Sequence, residues 1–467
     1  MNTPVSLRTS VCLLALLLTS ACATPPTPAP VVVDVARAVL LDLGDLHAAH
    51  GARTAAEAVY WHAAHTHSGD PTPYVRLAYL YLSWNRAEEG LNAVDIAAWM
   101  GSPATQVLPL RAALHARMED WEQVRVYGTA ALALTPTDSA TRRRVAQANV
   151  RLGHVDAALA DYTLLYAAFP TDPAVREPLG ALLALSEPDA ALPHLQAAGT
   201  PLAADLIAAL EGDSRARFAL LGQVYNRHAE WQLARLALEQ AVGSDPDNVD
   251  AVARLGHTLD QLGQGQAALA YLEAAVEQAP DSALNHSLLG LHYLQAGNLS
   301  AARPHLEAAY DLDPENPALC LYLAYLYGDL GYADAADVWL EEAIYLAPAD
   351  PVISEAVVHF YLNREVDAER ALEAARLLVQ QTPADAAAYD VLGWVEALLG
   401  HEAAAQDHWE HALELDPELA AAHYHLGWLY ARQGAFDAAE AALVRAQDLT
   451  TDPLLHAQIA QALAELP

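Results

Sequence analysis

The stretch that decides the fold runs from Asn285 to Pro314, NHSLLGLHYLQAGNLSAARPHLEAAYDLDP. Apolar residues recur three or four apart on both sides of Gly297, at Leu289 and Tyr293 and then at Ala302, Leu306 and Ala309. That is the period of a helix rather than a strand. Gly297 suits the left-handed turn that ends a first helix, and Pro314 stops a second. Gly290 and Ala302 are small where two helices must approach closely, while Leu and Tyr side chains fill the seam between them. The stretch reads as a helical hairpin.

The hairpin repeats along the chain. Pro246, Pro280, Pro314 and Pro348 stand 34 residues apart, Pro383 follows after 35 and Pro417 after 34. A fixed period of this length means stacked units that bury their apolar faces on one another. The last full unit repeats the set with Leu426-Gly427, Tyr430, Gly434, Ala439, Leu443 and Ala446. Backward, the frame continues through Leu43-Gly44, Leu77-Ala78 with Tyr81, Trp121 to Pro136, and Gly153 to Pro170. Pro178, Pro188, Pro193 and Pro201 crowd residues 171–214, which predicts a distorted hairpin, an extra helix near 202–210 and a hinge there. After Pro453 one amphipathic helix caps the last apolar face.

These residues resemble the tetratricopeptide repeat family over nearly everything from about residue 34 onward. The resemblance implies an all-α fold, a right-handed α-solenoid of about twelve hairpins. Its parts would be N-terminal repeats at 34–170, the irregular proline-rich hairpin at 171–214, C-terminal repeats at 215–452 and a capping helix at 453–467. It also implies that the first helix of each hairpin lines a concave face on which protein or peptide partners lie. Carried onto this chain, the ninth place of that helix is His257, Leu291, Tyr325, Phe360, Trp394 and Trp428, with Tyr424 at a fifth place. Arg364 and Arg432 join Gln295, Asp329 and Asn363 as a polar rim. The rings either form the wall of a groove or pack between neighbouring first helices. Chaperone-docking members of the family clamp a carboxylate with Lys and Asn, and a chain with no Lys lacks that clamp.

Composition narrows the partner. There are 59 acidic residues against 24 basic ones, all Arg, for a formal charge of −35, which speaks against nucleic acid and against electrostatic adhesion to anionic lipid. The charge keeps a long, apolar-rich solenoid in solution. Of 20 His, several are close in sequence, such as His62, His65 and His67, but with no Cys nearby they read as pairs arising from composition rather than as a metal site. Gly263-Gln264-Gly265 follows a helix, so it reads as a turn and not as a dinucleotide loop. Arg142-Arg143-Arg144, the one basic run, reads as a solvated face or a local contact for an acidic partner. No catalytic signature appears, so neither an enzyme nor a cofactor is expected.

Residues 1–21 read as a signal peptide, with Arg8 in the n-region and an apolar run from Val11 to Leu18, too short to span a membrane. Thr19-Ser20-Ala21-Cys22 resembles a bacterial lipobox, departing from it at Thr19, and implies a lipid on Cys22; plain cleavage after Ala21 or Ala23 is the alternative. The proline-rich residues 22–33 would tether the body to the membrane. Ala23 rather than Asp after the Cys points to an outer membrane in an organism with two membranes, otherwise to the cell surface. Two roles fit: an envelope-anchored scaffold for a peptide or protein, or a structural subunit of an export, secretion or polysaccharide-assembly machine.

Overall fold

A computed structural model describes residues 29–50, 52–365, 367–450 and 452–466. The expected signal peptide and lipidation at Cys22 lie outside the described residues, as does the tether as far as residue 28. The described residues form twenty-six α-helices, one π-helical turn and no strand. Twenty-four helices pair into twelve antiparallel hairpins, from Ala29–Ala49 with Arg53–Thr66 to Ala420–Arg432 with Phe436–Leu449. The other two stand alone, Pro201–Glu211 in the middle and Pro453–Glu465 at the end. The chain is an α-solenoid.

Local chemistry sets the helix ends. Many helices open on a short polar residue whose side chain accepts a first-turn N–H; Asp138 takes those of Ala140 and Thr141, and Ser282 that of Asn285. Most hairpin turns contain a left-handed residue, such as Gly297 at φ 72° and Gly434 at φ 75°, and in three it is Asn85, Glu119 or Ala229. Between the helices the eighth place must be small. A Cβ on Gly290 would stand 2.7 Å from the Leu306 side chain.

The proline-rich stretch holds three short helices, Pro173–Ala184, Pro188–Ala198 and Pro201–Glu211, each with proline as its first residue, where its missing N–H costs nothing. The buried core runs through it without a break from Ala146 to Ala237. Tyr225 is fully buried and donates its hydroxyl to the Ala181 carbonyl at 2.7 Å. The lone helix makes the solenoid turn tightly, so that Arg151 comes within 3.7 Å of Glu230.

The 35-residue spacing before Pro383 also has a structural cause. Helix Pro351–Phe360 ends in the π turn Tyr361–Glu365, where the chain takes up one extra residue before Asp367 donates its N–H back to Tyr361.

Nothing in the repeat pattern announces that the two ends of the solenoid touch. The Arg53 and Thr54 backbone N–H groups both donate to Asp448, at 2.9 and 3.3 Å, and the Arg53 guanidinium reaches the Thr450 carbonyl at 3.2 Å. Trp84, 1% exposed, donates its indole N–H to the Gln447 carbonyl at 2.6 Å and meets the His456 ring edge-on at 4.8 Å. The solenoid closes on itself.

Candidate binding surface

The first helices Ala386–Leu398 and Ala420–Arg432 bring Trp394 and Trp428 together, while Tyr424, one turn before Trp428, packs towards Leu443, Ala446 and Ile459 beside the final helix. The Trp394 and Trp428 rings lie 5.6 Å apart at 62°, and both remain partly exposed. Behind them stands His425, stacked on Trp394 at 5.0 Å and on the fully buried Trp409 at 5.4 Å. His425 Nδ1 lies 2.7 Å from the buried Asp390 carboxylate, and the Trp409 indole donates to the Asp390 backbone carbonyl at 3.1 Å. Every polar atom named in this stack has a partner, which buried tryptophan and histidine rings require. The Arg432 guanidinium covers Trp428 at 4.7 Å and reaches Glu402 at 3.2 Å.

The stack depends on Gly393. A Cβ there would lie 2.6 Å from the Trp409 indole nitrogen, so the eighth-place glycine is what admits a tryptophan where six other hairpins carry leucine. Trp394 therefore rests on a buried, hydrogen-bonded bracket, Trp428 packs on Trp394 and under Arg432, and both rings stay partly exposed. Each ring packs on a neighbour and is partly exposed.

The other ninth-place residues form no continuous ladder with this pair. His257 meets Trp231 edge-on at 5.9 Å and is mostly buried; burial lowers its pKa, Arg254 adds to the effect and Asp260 opposes it. Leu291 and Tyr325 are half-buried. Phe360 must be corrected: it is 0% exposed, against Tyr325 at 5.6 Å and Tyr361 at 5.9 Å, and offers a ligand nothing. The reason is register. Helix Pro351–Phe360 starts 34 residues after Pro317–Asp329, which makes the exposed His359 its ninth residue, and the extra residue enters only at the π turn that follows. The Arg364 side chain lies outside the described residues. Arg432 stands at the edge of the aromatic pair.

Trp409 and Asp390 were not singled out from sequence, and His425 was weighed only with His423 as a histidine pair arising from composition. A signal was available in Trp409, a ring with an N–H in a place where six other hairpins have leucine, which needs both a small neighbour and an acceptor. In the tight bend a cavity of about 280 Å³ is lined in part by Arg143, Arg151, Tyr162, Glu177 and Glu230. Its guanidiniums are matched within the fold, Arg143 with Asp172 at 2.8 Å and Arg151 with Glu230. Among the described residues no cluster of three or more potential metal ligands occurs, and no helix is long and apolar enough to cross a membrane.

Comparison with known proteins matches part of the repeats to a family. Models described as tetratricopeptide repeat match residues 228–291, 293–358 and 399–452; the unmatched interval 359–398 contains the π turn. No curated protein matches the chain. Among solved structures, yeast Tom70 is similar at 15% identity over 92% of this chain and 96% of that one, with a TM-score of 0.42. A tetratricopeptide repeat protein from Parabacteroides merdae shares 14% identity over 54% of this chain and 100% of its own, at 0.40. Pseudomonas aeruginosa pilF shares 17% over 44% and 94%, at 0.37. Likenesses this distant carry no functional inference. Hairpins, close-packed eighth places and family models coincide in residues 228–291, 293–358 and 399–452, and there the chain carries tetratricopeptide repeats.

Proposed function

We propose that this protein is an envelope-anchored scaffold that binds a protein or peptide on the concave face of its solenoid, with Trp394, Trp428 and Tyr424 as anchor. The observation that carries the reading is the bracketed pair. Of two partly exposed tryptophan rings, Trp394 is fixed by stacking on His425, which Trp409 and Asp390 hold from behind, and Trp428 packs on Trp394. Rigid, half-covered aromatics lose little entropy on binding and are typical hot spots. Tetratricopeptide repeats generally bind protein or peptide partners.

Anchoring belongs to the same proposal. A lipid on Cys22 and the proline-rich segment after it would hold the solenoid at the outer membrane, or at the cell surface where there is one membrane. Two measurements test the parts separately. Mass spectrometry of the N-terminal peptide should find diacylglycerol on Cys22, and an unmodified Cys22 in membrane-extracted protein removes the anchor. A photo-crosslinking residue at position 428 should trap one partner reproducibly, whereas one at Tyr345, exposed on a second helix, should not. Trapping only from position 345 removes the concave-face reading.

A further inference from the structure

We propose that the contact between the two ends of the solenoid is a latch, released when His456 takes up a proton. This inference does not depend on the identity of the partner. The latch is small. Among the described residues it holds, beside the Arg53 and Thr54 bonds to Asp448 and Thr450, Trp84 set between the Gln447 carbonyl and the His456 ring. Solenoid hairpins bury their apolar faces on their neighbours, so the ends can part while each hairpin keeps its core.

His456 is the group in this contact that titrates near neutral pH. It sits in the first turn of helix Pro453–Glu465, where a positive charge opposes the helix dipole. Its Nε2 is buried and has no hydrogen-bond partner. From the facing elements, Arg86 lies over Trp84 at 4.7 Å, and Glu57 and Glu89 stand near but are already engaged by Arg86 at 3.3 and 2.9 Å. From helix Phe436–Leu449 the charged group is Asp448, which holds Arg53 and Thr54; from its own helix it is the cap Asp452, committed to the Leu454 N–H. Burial first, and then Arg86, favour the neutral imidazole, with Glu89 and Glu57 opposing. A proton on His456 therefore places an unpartnered cation inside the contact. Parting the ends returns it to water, and Trp84 loses its cover.

Spin labels on Ala58→Cys and Gln458→Cys, both at exposed positions of the full chain with its other cysteines replaced by Ser, report the distance between the ends. The short-distance population should fall at least about threefold between pH 7.5 and 5.5, on either side of the ordinary histidine value, with helical circular dichroism unchanged. His456→Gln should stay closed at both pH values, and His456→Arg should be open at both. The proposal is overturned if the wild-type distances do not move, if His456→Gln moves as the wild type does, or if the movement comes with loss of helix.

Discussion

Trp84 donates its indole N–H to the carbonyl of Gln447, 363 positions further along the chain, at 2.6 Å. A bond of that span joins the second hairpin to the last and turns an open superhelix into a closed one. Trp84→Ala should therefore do two things: lower stability by about 3–5 kcal/mol, as loss of a buried tryptophan does, and enlarge the molecule. Small-angle scattering should show a larger radius of gyration for the variant, and an unchanged radius with intact helicity would contradict closure through this residue.

The turn positions give a prediction of opposite sign. Ala229 holds a left-handed backbone at φ 55°, a conformation that costs a residue with a Cβ about 1 kcal/mol or more. Ala229→Gly should stabilise the protein by about 0.5–1 kcal/mol. Gly434→Ala, with φ 75° and nothing within 4 Å of the added methyl, should destabilise it by a similar amount through the backbone alone. Urea unfolding of both variants checks the pair.

Gly393→Ala tests the bracket behind the aromatic pair. The new methyl would meet the buried Trp409 ring at 2.6 Å, and overpacking of this kind costs about 1–3 kcal/mol. A melting temperature equal to the wild type would mean that Trp409 is not held against the first helix.

Most of the fold was legible because the repeat is written in small residues, prolines and turn glycines whose roles are local. Leu289-Gly290 and Leu426-Gly427 announce their helices in any context, and the 34-residue spacing stacks them. The same local logic misplaced Phe360, because counting back from Pro383 assigns the inserted residue to the helix before the π turn rather than to the turn itself. Closure was illegible for a different reason. Trp84, Asp448 and His456 belong to no shared period, and a contact across nearly the whole chain depends on the summed curvature of every hairpin between. The aromatic pair was legible as residues, but its bracket was not, since Asp390 and His425 look like ordinary surface positions until their helices are packed.

Acid should weaken the fold in a defined window. Burial lowers the pKa of His257, His305 and His423 below the usual 6.5; His286, 3.1 Å from His305, lowers that residue further. A histidine depressed in the folded state binds protons more readily when unfolded, so stability is whole above about pH 6.5 and falls as pH drops below it. Urea midpoints should decline from pH 7.5 to 5.5. His305→Gln should flatten that decline in part, and an equal slope in the variant would contradict its share.

The central claim is that the exposed faces of Trp394 and Trp428 carry partner binding while Trp409 carries the fold. The most direct measurement is capture of the cross-linked partner by Trp428→Ala, Trp394→Ala and Trp409→Ala, each alongside its melting temperature. Trp428→Ala and Trp394→Ala should each weaken capture at least about tenfold, a loss near 1.4 kcal/mol or more, with only a small change in melting. Trp409→Ala should instead melt several degrees lower, with capture retained by the fraction still folded. Undiminished capture by a folded Trp394→Ala, Trp428→Ala double variant would contradict the claim.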